Sequence, residues 1–274
     1  FYDGKKQWKP SVFIGESEKN AILNRPKKQI KRKTEFPLPD IALRKHQPLL
    51  NINKVSYSQL DTFKTCPFKY QLRYLFQIPA PSPAVLNFGS TIHNTLRDFY
   101  LELQRNPDSV HKNLLPFLEE TYEKNWIPYG YETLAMQKDQ KKRGWKLLEK
   151  FYAHEMKNPV VPAFLERQFT LKIGSITLTG RIDRIDKLKD GTYEVIDYKT
   201  GSNTRDPGRD LQLSVYALAC KEVFKIPVSK LTLYFLDGLE KISSERTQKD
   251  LEKCEEEILK YASEISGSDF SPTP

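Results

Sequence analysis

Asp197 follows Asp183 by fourteen residues and sits in the run Val195-Ile196-Asp197-Tyr198-Lys199. Successive side chains of a strand alternate faces, so Val195, Asp197 and Lys199 share one face, with Ile196 and Tyr198 on the other. The stretch from Thr177 to Asp186 is also β-like, and Asp190-Gly191 is a hairpin turn signal between the two. Such a hairpin sets Asp183 beside Asp197, with Lys199 close by. Two hard oxygen ligands and a cation are the minimum for holding Mg²⁺ against a phosphate. The plainer alternative is a solvated Asp–Lys pair across the hairpin. Against it, Tyr193, Val195 and Ile196 on one strand, and Ile176, Leu178 and Ile182 on the other, make both strands at least half buried. A carboxylate there is costly unless it is paired or metal-bound.

Two further groups could join this centre. His93 lies one turn into a helix expected to begin at Gly89-Ser90, offset from the apolar stripe of Ile92, Leu96, Phe99, Tyr100 and Leu103. It reads either as a polar residue at the edge of the core or as an imidazole aimed at the carboxylates. Gln212 and Tyr216 stand four apart on a helix expected over 209–224, and therefore on one face.

The elements that must carry these residues can be read from Ser56 onward. Ser58-Gln59-Leu60-Asp61 predicts a capped helix start, Cys66-Pro67 interrupts that helix, and Pro67 suits the first turn of the next. A loop with Pro79, Pro81 and Pro83 precedes the His93 helix, and further helices are expected near 111–126 and 137–157. Strands are expected over 164–173, 176–187 and 192–199, then at 231–236, with a charged amphipathic helix over 246–265. That order predicts an α/β protein whose first strands form an antiparallel meander.

Composition bounds the possibilities. The net charge of +9 is uneven: residues 1–52 hold twelve Lys/Arg against five Asp/Glu, leaving 32 against 30 for the remainder. The basic segment also carries Pro10, Pro26, Pro37, Pro39 and Pro48, and reads as an extended arm, either lying on a polyanion or merely solvated. The body must therefore engage a phosphate backbone through local patches and metal. No apolar run reaches a membrane-spanning length of about 18 residues, and no signal-peptide pattern is present. Cys66, Cys220 and Cys254, odd in number and widely spaced, point to a reducing, cytoplasmic setting. The start at Phe1 is read as that of a piece of a longer polypeptide or a processed product.

Gly89-x-x-x-His93, Gly180-Arg-Ile-Asp183-Arg-Ile-Asp186, Asp197-Tyr-Lys199-Thr-Gly201 and Gln212-x-x-x-Tyr216 stand in one order. In that order the chain, over about residues 55 to 270, resembles RecB-type nucleases of the PD-(D/E)XK phosphodiesterase superfamily. The resemblance implies an α/β core with a central mixed sheet flanked by helices and extra N-terminal helices. It implies that His93, Asp183 and Asp197 ligate Mg²⁺ or Mn²⁺ together with the backbone carbonyl of Tyr198. Asp183, Asp197 and Lys199 would be the catalytic set, with Lys199 activating water or neutralising developing charge. Gln212 and Tyr216 would position DNA or Lys199. Glu166 matches a recurring acidic position without a catalytic role.

Trp8-Lys-Pro-Ser-Val-Phe-Ile-Gly-Glu16 resembles the segment that follows the last motor motif of UvrD-type helicases. Together these resemblances imply a basic, Pro-containing linker over 1–52 and a nuclease domain over 53–274, at the carboxyl end of a helicase–nuclease. The implied partners are DNA, single strands favoured, and a helicase region on the same polypeptide or a partner subunit, with no membrane. Many relatives also bind a [4Fe–4S] cluster through four cysteines. Cys66 matches the first ligand position, but no trailing triplet precedes Pro274, so no Fe–S cluster is expected in this fragment. Two other readings stay open: a catalytically inactive nuclease-like module that binds DNA or a partner subunit, and a stand-alone nuclease related to CRISPR-adaptation or phage-type enzymes.

Overall fold

The computed structural model describes residues 52–201 and 206–272. Apart from Ile52, the basic segment with its helicase-like stretch lies outside the described residues.

A short strand, β1 (Lys54–Ser56), runs straight into helix α1 (Tyr57–Thr65). The cap of α1 is Ser56, two residues before the expected Ser58. The Ser56 hydroxyl accepts the Gln59 N–H at 3.3 Å, and the Gln59 side chain accepts the Ser56 N–H at 2.7 Å. An amide completes the reciprocal capping box as well as an acid does. Helix α2 (Pro67–Tyr70) continues as a π turn through Gln71–Leu75.

Helix α3 (Ala84–Arg105) begins five residues before the expected Gly89. The Pro83 carbonyl accepts the N–H groups of Leu86 and Asn87, so the helix starts directly after the proline. Gly89 instead lies within the helix, facing the end of a strand: a Cβ there would stand 3.4 Å from the Thr200 hydroxyl. Helices α4 (Leu115–Asn125) and α5 (Leu134–Glu155) follow near their expected places.

The meander consists of β2 (Phe164–Ile173), β3 (Ile176–Lys187) and β4 (Tyr193–Lys199). Helix α6 (Leu211–Ala219) ends in a π turn over Cys220–Phe224 and leads to β5 (Val228–Phe235). Strand β6 (Glu240–Ser244) and helix α7 (Gln248–Gly267) complete the described fold.

The six strands form one mixed sheet, β1-β3-β4-β5-β6, with β2 on the other side of β3. β1/β3 and β4/β5 are parallel and the remaining pairs antiparallel. β1 and β6 were not expected from the sequence. One has three residues and the other, Glu-Lys-Ile-Ser-Ser, a single apolar residue, so their pairing is set by the sheet they join.

β4 divides two cores as its alternation predicts. Val195 packs with Leu213, Leu218 and Ile258, while Ile196 and Tyr198 pack with Ile92, Leu96 and Phe151. Among the described residues, no helix is long and apolar enough to cross a membrane.

Candidate active site

The β3–β4 ladder ends at the rung Arg184–Ile196, whereas β4 stays paired with β5 through Lys199–Phe235. Asp183 and Asp197 are thus the first residues beyond the last shared rung, where β3 and β4 part. Tyr198 turns both backbone polar groups toward this fork, and each needs a partner in place of the missing ladder. Its N–H donates to Asp183 Oδ2 at 3.1 Å, and its carbonyl lies 3.1 Å from His93 Nε2. His93, from α3, closes the ring with Nδ1 3.2 Å from Asp183 Oδ2. The histidine, aspartate and carbonyl are therefore linked in one hydrogen-bonded circuit.

Lys199 lies on the same face of β4 as Asp197, and its ammonium contacts Asp197 Oδ2. It also donates to Gln212 Oε1 at 3.0 Å, while Gln212 Nε2 donates to the Tyr216 hydroxyl at 2.6 Å. The one-turn spacing on α6 thus links Tyr216 through Gln212 to Lys199. All seven residues singled out in the sequence meet at this fork.

Electrostatics separates the two carboxylates. Burial pushes both up, but His93 and the Tyr198 N–H hold Asp183 below the usual carboxylate range. Asp197 is raised to about 6 by burial and by the charge of Asp183, with Lys199 pulling the other way. Burial lowers His93, yet the charge and hydrogen bond of Asp183, aided by Asp197 and Glu166, carry it up to about 9. Glu166 is raised by burial and then by the Asp183 charge. It ion-pairs with Arg181 at 2.5 Å and holds a left-handed φ of 47° at the point where β2 passes the fork.

Sequence reasoning missed what lies behind Tyr198. Its hydroxyl accepts from Arg184 at 3.2 Å, and Arg184 grips Asp186 with two bonds of 2.7 Å. The guanidinium is 1% exposed and stacks over the Tyr100 ring at 4.3 Å. Glu155 completes the group, accepting from Tyr234 at 3.1 Å and Lys241 at 2.8 Å. Charged residues also stand at 181, 183, 187 and 189, so nothing in the sequence pattern sets Arg184 and Asp186 apart.

Among the described residues, no three His, Cys, Asp or Glu side chains stand around one point at ligand distance. The donors are instead paired with one another and with Lys199. Their chemistry nevertheless fits a hard divalent ion: the fork gathers two carboxylates, a backbone carbonyl and one imidazole. Cys220 and Cys254 are buried in the core, and burial pushes both thiols up to about 12.

A family model described as the PD-(D/E)XK nuclease superfamily matches residues 54–274. The chain belongs to that superfamily. It is 28% identical over 247 residues to the gene 69 protein of Mycobacterium phage D29, covering 80% of this chain and 90% of that protein. It is 30% identical over 207 residues to one subunit of the ATP-dependent helicase/deoxyribonuclease of Clostridium perfringens SM101. That match covers 61% of this chain but only 17% of the length of the clostridial protein. A solved structure from Eubacterium rectale, named as a proposed exonuclease, superposes with a TM-score of 0.51 at 10% identity, covering 80% of this chain and 84% of its own. This last likeness concerns the fold alone: helices around a central mixed sheet, as expected of this superfamily.

Proposed function

We propose that the domain hydrolyses DNA phosphodiester bonds with a divalent metal held by His93, Asp183, Asp197 and the Tyr198 carbonyl. The observation that carries this reading is the fork itself, where an imidazole, two carboxylates, a free-edge carbonyl and an ammonium come together at the end of a shared ladder. Mg²⁺ or Mn²⁺, when bound, lowers the pKa of water and stabilises charge on the phosphate. The protein's own part is positional. Asp183 keeps His93 and the Tyr198 amide in place. Asp197 offers a carboxylate at the metal. Lys199, steered by Gln212 and Tyr216, supplies a point charge beside the scissile phosphate.

Single-stranded DNA is the favoured substrate, in end processing or recombinational repair coupled to a helicase. The likeness to part of a helicase/deoxyribonuclease supports that coupling, as does the stretch near Trp8. A second arrangement, a nuclease without its own motor, is favoured by the alignment across 90% of the phage protein.

The test is cleavage of end-labelled single-stranded DNA with Mg²⁺ or Mn²⁺ by the wild type, Asp197→Ala and Lys199→Ala. Loss of cutting in both variants is the expected result, and equal cutting by all three removes these residues from the mechanism. Retained DNA affinity with no metal binding by calorimetry would instead mark an inactive DNA-holding module.

A further inference from the structure

Among the described residues, the sheet leaves one polar face uncovered beside the fork. Strands β1, β3 and β2 lie side by side there, and their opposite face, carrying Val55, Leu178, Phe169 and Leu171, is buried in the core. Alternation fixes what the open face displays. Lys54 and Lys172 flank Thr177 in one row across the three strands. In the next row, Ser56 and Thr170 flank Thr179. Arg181 pairs with Gln168 in the third, two residues before Asp183. Every side chain is a hydroxyl, an amide or a cation.

A groove of about 760 Å³ follows this face from Lys54 to Arg181, and no carboxylate among the described residues lines it. Arg167, in phase with Phe169 on the other side of β2, reaches the groove from the edge of that strand, its guanidinium 5.3 Å from the Phe224 ring. Arg181 is neutralised by Glu166, but Lys54, Arg167 and Lys172 have no carboxylate partner among the described residues. Three uncompensated cations amid hydroxyls present donors without acceptor charge, the complement of a phosphate backbone. The rows from Thr177 to Arg181 extend about 13 Å along the strand, the reach of a few nucleotides and well short of the ~34 Å turn of a duplex.

We propose that this face is a track on which a single DNA strand lies as it runs to or from the fork, its phosphates on Lys54, Lys172 and Arg167. Phe224 offers a ring against which a base can stack. The inference rests on the nuclease reading for its direction toward the fork. Its binding claim can fail, or hold, separately.

The experiment is fluorescence anisotropy of a labelled oligothymidylate with the full chain in EDTA, across a salt series. The test variant is Lys54→Gln/Arg167→Gln/Lys172→Gln. The control neutralises a different face through Lys249→Gln/Lys253→Gln/Lys260→Gln on α7. Each lost phosphate contact flattens the slope of log affinity against log salt by about 0.7 for single strands, so the test variant should lose about 2. The control should keep the wild-type slope. Hydrolysis of bis(p-nitrophenyl) phosphate with Mn²⁺, a substrate too short to reach the track, should be unchanged in the test variant. An unaltered slope in the test variant, or equal flattening in the control, overturns the track. So does displacement of the oligonucleotide by polyglutamate at equal charge concentration, which would mark a general dock for acidic partners. A wild type that cuts nothing while the slopes still differ as predicted would sink the nuclease reading and leave the track standing.

Discussion

His93 Nε2 lies 3.1 Å from the carbonyl oxygen of Tyr198, while the other ring nitrogen faces Asp183 at 3.2 Å. Both neighbours are acceptors, so the ring satisfies them best as an imidazolium donating from both nitrogens. A metal at this centre therefore competes with protons. With His93 raised to about 9 and Asp197 to about 6, binding must expel two protons below pH 6, one between 6 and 9, and none above. Mn²⁺ affinity should climb about tenfold per pH unit between 6 and 9, more steeply below, and level off above. Titration calorimetry at pH 7.5 in buffers of different ionisation heat should count about one proton released. A pH-independent affinity across this range would mean His93 is not a ligand.

The same shift has a consequence for stability without metal. A group raised on folding contributes below its unfolded value, about 6.5 for histidine, and loses that contribution as pH rises through 9. In EDTA, the Tm of the wild type should exceed that of His93→Gln at pH 6. The two curves should converge by pH 10, and a gap that stays constant would contradict the assignment.

Lys199, Gln212 and Tyr216 are joined in a relay of side-chain hydrogen bonds. Removing the charge with Lys199→Met should cost about 10²–10³ in kcat, the range for a lost electrostatic stabiliser. Tyr216→Phe frees the Gln212 amide without touching Lys199, and should cost about tenfold in kcat with little change in KM. Steady-state kinetics on single-stranded DNA separates these outcomes. A Tyr216→Phe defect confined to KM would show that the hydroxyl binds DNA rather than orienting Lys199.

What could be read in advance was whatever depended on local period and on chemistry-bearing spacing. The meander, the faces of β4 and the convergence of Asp183 with Asp197 followed from alternation and one turn signal. The start of α3 did not, because Gly89 resembles a helix boundary whereas the helix begins directly after Pro83. The fork was also hidden, since the point where β3 leaves β4 is set by the whole sheet. Nor could a strand pattern show that Arg184 and Asp186 would be buried together behind Tyr198: charged residues on a strand ordinarily face water.

Gly180 gives a test of the local packing that carries the site. A Cβ there would fall 2.4 Å from the Phe169 ring, its cross-strand partner, and that ring meets Tyr216 edge-on at 6.2 Å. Gly180→Ala should force the ring aside and cost about 1–3 kcal/mol of stability. Because the displaced ring presses on Tyr216, activity should fall as well. Pairing the substitution with Phe169→Leu should restore much of the Tm in a thermal melt. Failure of the second change to rescue would show that the strain lies elsewhere.

Arg184 carries the largest stability expectation. It sits buried against Asp186, Glu155, Tyr198 and Tyr100, so truncation strands charge in a place water cannot reach. Arg184→Met should cost about 3–5 kcal/mol, the range for breaking a buried pair by removing one partner. In a domain of this size each kcal/mol is worth roughly 2–4 °C, which puts the Tm about 6–20 °C below wild type. The burden falls chiefly on Asp186, since Glu155 keeps Lys241 and Tyr234 as partners. The double variant Arg184→Met/Asp186→Leu removes the stranded charge and should regain most of the loss. Differential scanning calorimetry of the two variants decides the matter: a single variant within about 2 °C of wild type, or a double variant no better than the single, would show that this buried group does not brace Tyr198.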